Sequence, residues 1–245
     1  MLISSARFGQ KQTVEVTGCR PSSQSGGSHV PFEAACSFRN AVTELTLDPT
    51  LANMIRSFIA RTLSLIGHPA LLTPVAALLS AMINNAPANA LQLLIFVSCC
   101  TSASVITYCW IQVRSGRWLH VDASLPRERR QLHSVLSLLF FGIAISLWLF
   151  GQSQRIVLGP AFCGLLIVFA SLCRHFLKIS LHASLAVFAA SLLWPNVVST
   201  SVFLLLALAV SWSRLALHRH TRQEVVIGLL LGGTTGLAFN VVSSA

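Results

Sequence analysis

The stretch 213–224, Ser-Arg-Leu-Ala-Leu-His-Arg-His-Thr-Arg-Gln-Glu, lies between two apolar runs and gathers side chains suited to phosphate chemistry. A guanidinium holds phosphate oxygens bidentately, an imidazole attacks phosphorus, and a carboxylate fixes the tautomer and orientation of that imidazole. Arg214, His220 and Glu224 supply these three groups in order, and Ser213 adds a hydroxyl. Where the chain turns helical here, His220 and Glu224 share a face, because residues four apart on a helix are neighbours. His218 and His220 with Glu224 also have the types of a metal site. Asp122 and Glu128 are the only further acidic groups in the neighbouring polar segments, so the reading taken is a site without a metal.

Two other polar segments carry candidates. One holds His120, Asp122 and the cluster Pro126-Arg127-Glu128-Arg129-Arg130. Its plain alternative is a positively charged loop on the cytoplasmic side of a membrane. The other holds Lys178, Ser180 and His182. A single histidine at the start of a span is otherwise a structural group bonded to a backbone carbonyl.

These segments need a scaffold, and the composition names its solvent. The 245 residues are 54% hydrophobic and 10% charged, with the apolar residues in long unbroken runs. That is a multi-pass integral membrane protein, an all-α transmembrane bundle of six to seven helices including a short hairpin. Residues 1–50 are rich in Gln, Ser, Gly and Pro, lack an apolar signal core, and are expected to be mostly disordered. Residues 51–245 form the membrane domain. Spans are expected at about 62–83, 90–112, 132–151, 156–176 and 225–243. Two runs at about 181–194 and 197–212, turning at Trp194-Pro195-Asn196, fall short of the roughly 20 residues of a perpendicular span and read as a thin or re-entrant hairpin. Gly228, Gly232 and Gly236, every fourth residue of the last run, form a stripe that lets another helix approach closely.

Counting crossings places 114–130, 174–182 and 213–224 on one face, so three basic segments can converge on one site. The net charge of +10 sits at span ends rather than along a soluble face, which favours anionic lipid headgroups or a phosphate substrate over nucleic acid. The opposite connections carry only Arg155, and the Lys and Arg count therefore puts the motif-bearing face in the cytoplasm. Seven cysteines show no Cys-x-x-Cys spacing and fall mostly within apolar runs, so no disulfide or metal is assigned to them.

Ser213, Arg214, five residues later His220, and Glu224 after three more resemble the third motif of the type 2 phosphatidic acid phosphatase superfamily of integral membrane lipid phosphatases. That motif ends in Asp, where this chain has Glu. Ile179-Ser180-Leu181-His182 is similar to the second motif, Pro-Ser-Gly-His, in its Ser and His. For the first motif, Lys, six residues, Arg-Pro, this chain offers His120, Arg127 and Glu128, with Arg129 or Arg130 as equal candidates for the phosphate ligand. Asp122, the arginine run, and Lys178 two residues before Ser180 resemble a variant found in some members. The resemblance covers about residues 60–243.

It implies a metal-independent phosphatase without cofactor, acting on lipid phosphate monoesters or diphosphates through a phosphohistidine. Arg127, Arg130, Lys178, Ser180 and Arg214 would bind phosphate, His220 would attack, Glu224 would orient it, and His182 would protonate the leaving alcohol. For many members it also implies an extracytoplasmic site, against the charge count. A headgroup transferase with the same residues, and a non-catalytic scaffold or anion transporter, are the alternatives.

Overall fold

A computed structural model describes residues 49–118, 125–174 and 176–244. The segment expected to be disordered lies outside them as far as residue 48, and so do His120 and Asp122. All regular structure among the described residues is helical: α1 Pro49–Ile66, α2 Pro69–Ile83, α3 Ala88–Arg114, α4 Pro126–Leu149, α5 Gln154–Cys173, α6 Leu181–Ser191, α7 Val197–Ala216 and α8 Arg222–Ser244. Five of these, α3, α4, α5, α7 and α8, are long and apolar enough to cross a membrane, and α1 with α2 makes a sixth if that bent pair is one span.

The first span is not the single helix expected at 62–83. It breaks between α1 and α2 with a 53° bend. Pro69 disfavours the helical conformation for the residue before it, and His68 is accordingly extended (φ −64°, ψ 131°). His68 then caps α2, its side chain accepting the Ala70 N–H, with Pro69 at the first helical position.

The hairpin also differs from expectation. α6 is only 11 residues long, about 16 Å, while α7 runs 20 residues to Ala216, about 30 Å and enough to cross. Polar residues extend α7 because they find partners within the bundle. Ser213 Oγ donates to the Val210 carbonyl at 2.6 Å, and Arg214 donates to Ser64 Oγ at 2.9 Å.

Short α6 is the centre of the described bundle, packed by α2, α5, α7 and α8. Leu185, Phe188 and Leu193 join Phe203, Leu166 and Phe239 in its core. The close approach of α6 to α8 depends on the glycine stripe. A Cβ at Gly228 would lie 2.8 Å from the Ser180 carbonyl oxygen, and one at Gly232 would run into the Ser184 carbonyl. This contact ties the start of α6 to the start of α8, where the Ser180 N–H donates to the Glu224 carbonyl at 3.2 Å.

Candidate phosphate site

The 176–180 and 217–224 segments meet at one end of the bundle. The other end is marked by Ser80 Oγ on the Leu192 carbonyl at 2.6 Å and Arg155 on the Trp194 carbonyl at 2.6 Å. Two helix caps back to back build the first part of the site. α7 ends in a Schellman turn: the His218 N–H bonds the Leu215 carbonyl, the Arg219 N–H bonds the Arg214 carbonyl, both at 3.0 Å, and His218 takes the left-handed conformation (φ 52°). α8 begins with a capping box, the Thr221 N–H on Glu224 Oε2 at 3.2 Å and the Glu224 N–H on Thr221 Oγ1 at 3.3 Å. His220 is the one residue left between the two caps.

Its ring is fixed from the α8 side. His220 Nδ1 lies 2.9 Å from Glu224 Oε2, the same oxygen that closes the capping box. A carboxylate can only accept, so Nδ1 carries the proton and the Nε2 lone pair is free. Burial, with Lys178 and Arg214 adding to it and Glu224 opposing it, pushes the imidazole down to about 4 from its ordinary 6.5. His220 is therefore a free base at neutral pH. One carboxylate oxygen of Glu224 thus serves both the Thr221 N–H and the His220 ring.

The groups that can hold an anion come from three elements. Arg214, in the last turn of α7, is buried at 5% exposure. Its Nη1 reaches Ser64, and its Nε is buried without a hydrogen-bond partner. Lys178 Nζ donates to the Arg219 carbonyl at 3.0 Å. Burial lowers the Lys178 ammonium from its usual range, Arg129 and Arg214 add to that, and Glu224 opposes it. Ser180 is fully buried at the N-cap of α6, yet its hydroxyl makes no capping bond and no other hydrogen bond. The N-terminus of a helix favours an anion, through its free N–H groups and its dipole.

Arg127 and Arg130, the expected phosphate ligands from the first basic segment, are exposed, and the arginine that faces Lys178 is Arg129. The reason is helical phase. Residues 126–130 are the first turns of α4 rather than a loop, with Glu128 Oε2 accepting the Leu125 N–H at 3.0 Å. Arg129 then shares a face with buried His133, four residues on, while Arg127 points about 200° away.

His182 stands in the first turn of α6, within electrostatic reach of Arg214 and His220. Its ring meets that of His68 edge to face, centroids 5.3 Å apart. His68 and Ser64 are site residues that sequence reasoning missed. The one signal was the dipeptide His68-Pro69 inside an apolar run, a break marker with a polar side chain. A cavity of about 740 Å³ opens beside His220, its wall cationic at Arg56, Lys178 and Arg222 and apolar at Trp212 and Leu215. Among the described residues, no three His, Cys, Asp or Glu side chains form a metal-binding cluster, and exposed His218 is held by the Schellman turn.

The fold and site together define a polytopic helical membrane bundle with an open cationic pocket beside a carboxylate-oriented histidine. Comparison with protein-family models, with curated proteins and with solved structures gave no match.

Proposed function

We propose that the chain is an integral membrane phosphatase that hydrolyses lipid phosphates through a phosphohistidine at His220. The observation that carries this reading is a pair of buried groups without hydrogen-bond partners, the Ser180 hydroxyl at the N-cap of α6 and Arg214 Nε in the last turn of α7, with Arg214 in electrostatic reach of a histidine whose Nε2 is free. Burying a guanidinium without an anion costs several kcal/mol. A phosphoryl group supplies that charge and accepts from both orphan donors. The resemblance in the spacing of Ser180, His182, Arg214 and His220 assigns the same residues to the same roles.

The reaction has two displacements. The dianionic phosphate draws a proton onto His182 as it binds; His220 Nε2 then attacks phosphorus, the bond to the lipid oxygen breaks, and that oxygen takes the proton of the His182 imidazolium. Water then attacks the phosphohistidine, returns a proton to His182, and inorganic phosphate leaves. Glu224 stabilises the imidazolium character that His220 gains in the first step. Arg214, Lys178 and Ser180 offset the charge on the equatorial oxygens, which is most of what phosphoryl transfer asks of a protein. The wall at Trp212 and Leu215 gives the acyl or prenyl chain an apolar path to the bilayer.

The excess of Lys and Arg at this end supports a cytoplasmic facing for it. An impermeant thiol reagent on single cysteines at Gln223 and Ser244 tests that assignment. For the activity, the purified protein is given phosphatidate or a polyprenyl diphosphate in the presence of a chelator of divalent cations. Inorganic phosphate release that Arg214→Ala abolishes supports the reading, and no release from either lipid removes it.

A further inference from the structure

Two side chains from the junction of α1 and α2 reach the site from outside the three polar segments. Ser64 Oγ accepts from Arg214 Nη1, and the His68 ring stands against His182 at an interplanar angle of 83°. His68 is held firmly. Its backbone is extended ahead of Pro69, and its Nδ1 accepts the Ala70 N–H at 3.2 Å, which leaves the proton of the neutral ring on Nε2. Behind it, Gly67 lies so close to Val210 that a Cβ there would collide with that side chain, which seats the junction directly against α7.

His182 lacks what His220 has. Glu224 orients the His220 ring, whereas the His182 side chain makes no hydrogen bond among the described residues. Its specific ring contact is with His68. A group that hands over a proton needs its ring aimed at the accepting oxygen, and a misplacement of about 1 Å can cost about a hundredfold in rate.

We propose that His68 is a positioning residue that holds the His182 ring in the orientation from which it protonates the leaving oxygen. The role of His182 rests on the phosphatase reading, while the pairing of the two rings rests on geometry alone. In the first displacement the phosphorus–oxygen bond breaks as the bond to His220 Nε2 forms, and the electron pair on the departing oxygen takes the His182 proton. His68 gives up no proton and touches no substrate. Its effect therefore scales with how much the leaving group needs that proton.

The test uses His68→Asn, which keeps an N-cap acceptor for Ala70 and removes the ring. Turnover is measured on phosphatidate, whose leaving alkoxide needs a proton, and on p-nitrophenyl phosphate, whose phenolate scarcely does. We expect a loss of about tenfold to a hundredfold on phosphatidate and a several-fold smaller loss on the nitrophenyl ester. His68→Phe, which keeps a ring and gives up the cap, is expected to retain the wild-type ratio between the two substrates. In parallel, the imidazole ¹⁵N resonance that disappears in His182→Ala should move in His68→Asn, while that of His220 stays. Equal losses on both substrates, or an unmoved His182 resonance in the folded variant, overturn the proposal. A wild-type protein that releases phosphate from neither substrate removes the phosphatase reading and the catalytic role with it, and is told apart because the His182 resonance still reports the pairing.

Discussion

Replacing Glu224 by Gln separates the catalytic from the structural work of one oxygen. Glu224 Oε2 receives the His220 ring at 2.9 Å and the Thr221 N–H at 3.2 Å. Glutamine keeps a carbonyl that can accept from Thr221, and a capping box accepts Gln as well as Glu at this position. What the fold loses is a negative charge in the first turn of α8, worth about 0.3–1 kcal/mol. The reaction loses more. As Nε2 bonds phosphorus the ring becomes cationic, and removing the carboxylate partner of a catalytic histidine costs about two to four powers of ten, or roughly 2.7–5.4 kcal/mol of barrier. Thermal unfolding in detergent and phosphate release on the same preparation measure the two quantities. Glu224→Asp keeps the charge but is one methylene short of serving both donors. It should hold turnover within about tenfold and give up about 0.5–1 kcal/mol of stability with the lost cap. A Gln variant with full turnover would refute the reasoning, because His220 would then be oriented by something other than Glu224.

Three further outcomes follow from the same geometry. Gly232→Leu drives a side chain into the Ser184 carbonyl, so unfolding should come easier by about 1–3 kcal/mol or more and activity should fall with the displaced start of α6; an unchanged melting temperature would mean the two helices are not interlocked there. His218→Gly relieves a left-handed residue at the end of α7 and should stabilise by up to about 1–2 kcal/mol in thermal unfolding, with phosphate release retained, whereas loss of activity would make His218 part of the site. Because the folded His220 titrates near 4 and the unfolded one near 6.5, the unfolded chain binds the extra proton between those values. Stability is therefore lost as pH falls from 6.5 toward 4, and His220→Asn should flatten that slope in melting temperatures taken at pH 7, 5.5 and 4.5.

The long apolar runs and the glycine stripe were legible in the sequence because lipid solvent leaves the backbone few choices. The register Ser213, Arg214, His220, Glu224 was legible as well, and so was a trace of what fixes it, since Thr221-Arg-Gln-Glu224 is a capping-box pattern. What failed was phase and continuity. Arg129 cannot be told from Arg127 and Arg130 until the start of α4 is known, and Glu128 with Pro126 sets that start inside a segment that reads as a basic loop. α7 outruns its apolar stretch because Ser213 and Arg214 find partners at Val210 and Ser64, the second of them 150 residues away in the chain. His68 is hidden for the opposite reason: its partner His182 is also far off in the chain, and nothing in an apolar run announces a ring contact.

The most direct measurement traps the intermediate. Purified protein in detergent, given ³²P-labelled phosphatidate with divalent cations chelated, is quenched in alkali, where a phosphohistidine survives and an acyl phosphate does not. The label should be lost in acid, should map to the peptide containing His220, should build up further in His182→Ala when p-nitrophenyl [³²P]phosphate is the donor, and should be absent from His220→Ala. Label on another residue, or phosphate release undiminished in His220→Ala, would contradict the assignment of His220 as the nucleophile.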